Sequence, residues 1–148
     1  MNVRKNMTIS FALAALALGM TTTKAGAETR LKGSFELPGA AYFGDTLLQP
    51  GQYTIWMSAE ARDRAPAIHV SGEGVTKTFF GISKPTPESG RNCLKMIPVD
   101  GTYVVSAFDT GVLGKSFSFG MTKNVRNKML GASAGPSIAV PVSTAAGF

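Results

Sequence analysis

Short runs of alternating apolar and polar residues fill the middle of the chain and are separated by turn-forming residues. Between residues 115 and 121, for example, Phe117, Phe119 and Met121 alternate with serine and glycine. Successive side chains of a β-strand point to opposite faces, so this period of two predicts a strand with one buried face and one solvated face. Similar runs predict further strands at residues 31–37, 53–57, 67–71, 75–82, 94–98 and 102–108.

Glycine-containing turns join these runs. Asp100-Gly101 lies between two β-rich runs and predicts a two-residue hairpin turn of the primed type. Pro50-Gly51 suits a type II turn, because proline fixes the first central φ and glycine permits the positive second one. Since Leu47 and Leu48 precede that turn, it predicts a hairpin over residues 45–57.

Two segments are predicted to be loops. Residues 58–66 are charged, and residues 83–92 contain prolines, which are incompatible with a central strand. No part of residues 28–122 shows the sustained 3.6-residue apolar period of a helix that would cover a parallel sheet. We therefore predict an all-β domain at residues 28–122, folded as an antiparallel β-sandwich of about seven or eight strands.

The first 27 residues have the three parts of a bacterial secretory signal peptide. Arg4 and Lys5 form a basic start, residues 9–18 form an apolar stretch, and Ala25-Gly26-Ala27 supplies the small residues that a signal peptidase accepts. The apolar stretch is shorter than the roughly 20 residues that span a bilayer, which favours cleavage after Ala27 over a transmembrane anchor. We expect a periplasmic or extracellular protein with no transmembrane segment in the mature chain.

The positive charge of the chain lies at its two ends. The whole chain has a net charge of +6, but residues 28–122 contain nine basic and nine acidic residues and are neutral. A nucleic-acid-binding face needs cations clustered on the folded body, so no nucleic acid partner is expected. Residues 123–148 carry three basic residues and no acid, and are rich in Ala, Gly, Ser and Pro. They are predicted to be a flexible tail, with docking of residues 138–142 on a sheet edge, its own or a neighbour's, as the alternative.

The chain contains one histidine, His69, and one cysteine, Cys93. These counts exclude an intramolecular disulfide framework and any metal site built from several cysteines or histidines. Neither residue lies in a recognisable catalytic motif, so we interpret His69 as a surface or packing residue and Cys93 as a buried thiol, with pairing between chains as the alternative. The sequence therefore predicts no catalytic residue, no metal site and no cofactor.

Trp56 is the best single candidate for a contact residue. It lies one position out of phase with Tyr53, Ile55 and Met57, so it faces the opposite side of their strand. In a sandwich one of these two faces is outward, and an outward Trp56 exposes less apolar area than the other three side chains would. We therefore predict that Trp56 lies on the outer face and contacts a partner.

A resemblance supports this interpretation of the fold. Residues 46–53 read Thr-Leu-Leu-Gln-Pro-Gly-Gln-Tyr, and the β-rich runs at 103–109 and 116–119 follow, the second of which is aromatic. In this pattern the chain resembles small secreted bacterial β-sandwich proteins of unassigned function that carry a Pro-Gly-x-Tyr hairpin. The resemblance covers most of residues 31–122. It implies a β-sandwich outside the cytoplasm and carries over no active site.

These observations favour a non-catalytic secreted or periplasmic module with a binding or structural role in the bacterial envelope, where its partner is an envelope protein or a polysaccharide. One alternative is an assembly subunit that associates with itself by donating its C-terminal tail to a neighbour. The other is a small secreted hydrolase in which carboxylates converge in space. The candidate carboxylates for that alternative are Asp45, Asp63, Glu73, Asp100 and Asp109.

Overall fold

The computed structural model describes residues 30–58 and 65–144. The predicted signal peptide, residues 59–64 of the charged loop and the last four residues lie outside that part of the chain. The described residues form 11 strands and one helix. They are β1 (Arg30–Leu37), β2 (Ala41–Phe43), β3 (Thr46–Leu48), β4 (Gly51–Ser58), β5 (Ala67–Gly72), β6 (Val75–Pro85), β7 (Asn92–Val99), β8 (Thr102–Thr110), β9 (Lys115–Phe119), α1 (Lys123–Gly131), β10 (Ile138–Pro141) and β11 (Ser143–Thr144).

The strands form one open, mixed sheet in the order β10-β7-β8-β9-β6-β5-β4-β1-β11, with β2 and β3 attached at β8. The β2–β8 pair is parallel, and the pairs along the main order are antiparallel. A mostly β fold is therefore confirmed, and each of the predicted runs contains a strand. The structure has more strands than the seven or eight predicted, because β2, β3, β10 and β11, with two to four residues each, lie outside the alternating runs named above.

The sheet has two halves, β11-β1-β4-β5 and β9-β8-β7-β10, and strand β6 joins them. Its residues 75–80 pair with β5, and its residues 81–85 pair with β9. Inward side chains of both halves meet in one hydrophobic core, for example Ile55 of β4 and Phe108 of β8. Phe43 of β2 stacks against Phe79 with ring centroids 4.1 Å apart and also contacts Phe119, so the β2–β3 hairpin is anchored in that core.

The turn at Asp100-Gly101 is confirmed. The two residues have φ of 47° and 77° and connect β7 to β8, whose ends Val99 and Thr102 pair directly. Positive φ at both central positions is the signature of the type I′ hairpin turn. Glu73 and Gly74, with φ of 48° and 74°, connect β5 to β6 in the same way.

The hairpin predicted at Pro50-Gly51 is wrong. Strand β3 pairs with β2, and β4 pairs with β1 and β5. Gly51 does take a positive φ, but at 149° it is far from the roughly +80° of a type II turn, so the chain passes on to the other half of the sheet. The real hairpin turns at Gly44-Asp45, where Gly44 has φ of 62° and Ala41 pairs with Leu48.

The boundaries predicted around residue 83 also need correction. Strand β6 continues to Pro85, where Ser83 pairs with Phe117 and Pro85 with Lys115. Pro85 is the last residue of the strand, a position at which a missing backbone N–H removes no interior ladder bond. The predicted loop at 83–92 is therefore shorter and begins at residue 86.

Residues 123–144, assigned above to a flexible tail, contain helix α1 and strands β10 and β11 in the structure. Thr122 caps α1 by accepting a hydrogen bond from the Val125 amide at 3.3 Å, and Val125 is buried against the sheet. Strand β10 pairs with β7 and β11 pairs with β1, so one segment reaches both ends of the strand order. Val140 and Val142 alternate along it and enter the main core. This segment therefore docks on sheet edges, which was the alternative given for residues 138–142, and the edges belong to the chain's own sheet.

Within the part of the chain that the structure describes, no helix has the length and apolar character needed to cross a membrane.

Candidate functional site

Alternation along β4 places Trp56 on the outer side of the sheet, as the sequence predicts. Tyr53, Ile55 and Met57 are 2%, 1% and 1% exposed, because all three enter the core. Trp56 has the opposite parity and is half-buried. The indole is therefore held by the sheet without being part of the core.

The Trp56 ring stacks on the imidazole of His69. The ring centroids are 3.7 Å apart and the planes differ by 16°, because the two residues are direct cross-strand partners on β4 and β5. His69 Nδ1 is 2.8 Å from Oγ1 of Thr78, its partner on β6. On the other side of Trp56, Lys32 of β1 occupies the paired position. One face of the indole is thus covered by His69.

Two apolar side chains lie beyond Thr78 on β6. Phe80 is 67% exposed and Ile82 is 62% exposed, and both share the outward parity of Thr78. Phe80 pairs with Ala67 of β5 in the next outward row, and Ile82 pairs with Ser118 of β9. An isolated exposed apolar side chain is common, whereas neighbouring exposed apolar side chains beside an aromatic pair indicate a contact surface. We call the surface formed by Lys32, Trp56, His69, Thr78, Phe80 and Ile82 the Trp56 face.

Hydroxyl groups flank the Trp56 face on one side, and lysines lie at two of its ends. Ser34, Thr54, Ser71 and Thr76 form the next cross-strand row, in which the Ser71 and Thr76 hydroxyls are 3.0 Å apart. Lys32 lies at one end of the Trp56 row, and the outward position after Ile82 on β6 is a lysine that is also exposed. The surface is therefore an apolar strip with a polar and basic surround, which is the layout of a protein contact site.

Phe80 and Ile82 were not identified from the sequence, although a signal was present. Phe79 and Phe80 are adjacent, so a strand must turn one of them outward. The structure buries Phe79 and exposes Phe80. The same parity argument that identified Trp56 therefore applies to β6.

Cys93 lies on the other half of the sheet and is half-buried rather than buried. Its cross-strand partner is Asp109, which accepts a hydrogen bond from the Ser116 hydroxyl and forms an ion pair with Lys95 at 2.7 Å. Burial raises the pKa of the Cys93 thiol above its usual value. The Asp109 carboxylate raises that pKa further, and the Lys95 ammonium lowers it. A raised pKa leaves less thiolate at neutral pH and makes the sulfur a poor nucleophile.

Among the described residues, the groups named above for a hydrolase lie on different elements. His69 bonds to Thr78, whereas Cys93 lies beside Asp109, and β6, β9 and β8 separate their strands in the sheet order. Asp45, Glu73 and Asp100 lie in three different turns, and Asp63 falls outside the described residues. In residues 30–58 and 65–144 no three His, Cys, Asp or Glu side chains are grouped as a metal site would require.

Comparison with known proteins adds no relative: no family model, no curated protein and no solved structure matches this chain.

Proposed function

We propose that this protein is a non-catalytic binding module of the bacterial envelope whose contact surface is the Trp56 face. The observation that carries the proposal is the exposure of Phe80 and Ile82 on the outward side of β6, beyond the Thr78 that contacts His69 of the Trp56–His69 stack. Their backbone is held by the pairing of β6 with β5 and β9. Rigid strands present the side chains in one fixed arrangement, which lowers the entropy lost on binding.

The chemistry of this surface supports a protein partner over a polysaccharide. His69 covers one face of Trp56, with ring centroids 3.7 Å apart, which leaves less of the indole for stacking on a sugar ring. An aliphatic side chain such as Ile82 and an aromatic one such as Phe80 match the apolar centre of a protein interface. The exposed Lys32 beside this strip favours a partner with acidic side chains at the rim of the contact.

The predicted signal peptide supports a location outside the cytoplasm, with cleavage after Ala27. The shared strand β6 and the single core between the two halves of the sheet support a β-sandwich as the architecture of residues 28–122. The pairing of β10 and β11 with their own sheet weighs against a subunit that donates this segment to a neighbour. The dispersed carboxylates weigh against the hydrolase.

Photo-cross-linking in intact bacterial cells tests the proposal. A photoreactive phenylalanine analogue replaces Phe80 in one variant and Leu130, which is 80% exposed on α1, in a matched control. We expect a discrete adduct from position 80 that protease digests, and no such adduct from position 130. A protease-resistant adduct would instead indicate a polysaccharide, and equal adducts from both positions would contradict a role for the Trp56 face.

A further inference from the structure

Helix α1 covers a second hydrophobic cluster on the outer side of the sheet, away from the Trp56 face. Val125 of the helix packs with Val99 and Val104 of the β7–β8 hairpin, and each of the three is 3% to 4% exposed. Met129 and Tyr42 border this cluster. The helix is therefore attached to the sheet by a few apolar contacts along one side.

A polar contact across the same boundary fixes the helix to β2. Lys128 Nζ donates a hydrogen bond to Oη of Tyr42 at 2.9 Å and lies 5.0 Å from the centroid of its ring. Because Tyr42 accepts this bond through its oxygen, its own hydroxyl proton is free to be donated to another acceptor. The ammonium group of Lys128 likewise has two further protons. Two donors therefore converge at one point of the groove between α1 and the sheet.

A cavity of about 400 Å³ lies at this point. Val99, Val104 and Val125 form its floor, although each is only 3% to 4% exposed. Tyr42, Asn127 and Lys128 line its sides. A volume of this size and a few converging polar groups are typical of sites for small molecules. Asp100, on the β7–β8 turn, also lines the cavity, so an anionic group of a ligand has to lie beside Lys128 and away from that turn.

We propose that this cavity binds a small carboxylic acid with a short hydrocarbon chain. The carboxylate accepts hydrogen bonds from Lys128 Nζ and from the Tyr42 hydroxyl, and the chain lies over the valine floor beside the Tyr42 ring. Charge-assisted hydrogen bonds are the stronger class, and the partly exposed Tyr42 ring supplies most of the apolar contact. The site does not overlap the Trp56 face, so an experiment can refute one of the two proposals and leave the other intact.

Calorimetric titration with hexanoate, hexylamine and hexanol tests the chemistry of the ligand. We expect hexanoate to bind with a dissociation constant of about 1 mM or lower. Hexanol, which lacks the charge, is expected to bind about tenfold more weakly or worse, and hexylamine should give no binding. Absence of hexanoate binding would overturn the proposal, as would equal affinity for hexanoate and hexanol.

Paired variants locate the site. Lys128→Gln should weaken hexanoate binding about tenfold, whereas Lys123→Gln, which removes the same charge from the same helix outside the cavity lining, should not change it. Gly131 lines the cavity, and a Cβ there meets nothing within 4 Å, so Gly131→Leu should obstruct the cavity without a clash in the fold. Gly120 is equally open and lies outside the lining, which makes Gly120→Leu the matched control. Unchanged binding by Gly131→Leu, with an unchanged melting temperature, would refute this location.

Discussion

The packing of Val142 against Gly33 gives a quantitative test of whether the C-terminal segment belongs to the folded domain. Val142 is 5% exposed and lies in the main core, so Val142→Ala removes two buried methyl groups. Burial of valine stabilises a protein by roughly 1.5–3 kcal/mol, and we expect this truncation to cost about 2 kcal/mol including the cavity it leaves. Val112→Ala removes the same groups from a side chain that is 43% exposed and should cost less than about 0.5 kcal/mol.

Gly33→Ala perturbs the same contact from the other side. A Cβ at Gly33 would lie 2.6 Å from Cγ1 of Val142, so the larger residue has to displace β11 or distort β1. Overpacking of this kind costs roughly 1–3 kcal/mol. In the Val142→Ala background the clashing methyl group is absent, and the nearest remaining atom is the Ser143 carbonyl oxygen at 3.0 Å. The double variant should therefore be more stable than the sum of the two single changes implies, by about 1 kcal/mol or more.

Urea unfolding of the wild type, the two single variants and the double variant measures this coupling directly. The free energy of unfolding falls linearly with urea concentration, so its value in water is obtained for each protein by extrapolation. The gain from a less flexible unfolded chain in Gly33→Ala is the same in both backgrounds and cancels. A flexible tail after residue 122 would give almost no loss for Val142→Ala and strictly additive changes. Either result would refute the pairing of β11 with β1.

Three further predictions can be tested separately. Trp56→Ala should cost about 2 kcal/mol, because a half-buried ring loses part of its buried area as well as the roughly 0.5–1.5 kcal/mol of the aromatic pair. Ile55→Ala should cost more, about 3–4 kcal/mol, and thermal melting of both variants distinguishes the outer face from the core. Alkylation of Cys93 should have its pH midpoint above that of an ordinary thiol. Asp109→Asn should lower this midpoint, because it removes the negative charge that raises the thiol pKa and leaves the Lys95 charge that lowers it. Rates of thiol modification as a function of pH measure both effects. Intact mass of the protein recovered from the periplasm should correspond to a chain that begins at residue 28, and a chain that begins at residue 1 would contradict cleavage.

Local pattern was sufficient for most of the strands and for the orientation of Trp56. Alternation from Tyr53 to Met57 predicts which side chains are buried, because the two faces of a strand follow from backbone geometry alone. Asp100-Gly101 predicts its turn for a similar reason, since few residues accept two successive positive φ angles.

The local sequence pattern could not predict which distant segments pair. Pro50-Gly51 indicates a change of chain direction, but a turn dipeptide does not specify which strands pair, and Leu48 pairs with Ala41 of β2. Strands β10 and β11 have four and two residues, too few for a period to be recognised, and their position depends on the edges of β7 and β1. The Trp56–His69 stack likewise depends on the register between β4 and β5.

The most direct test of the central claim is the affinity of the partner cross-linked from position 80, once purified, for the wild-type protein and two variants. We predict that Phe80→Ser weakens binding at least about tenfold, the loss expected of a central aromatic contact, and that Leu130→Ser leaves the affinity unchanged. Equal affinities for the wild type and Phe80→Ser, or a loss confined to Leu130→Ser, would contradict the assignment of the Trp56 face as the binding surface.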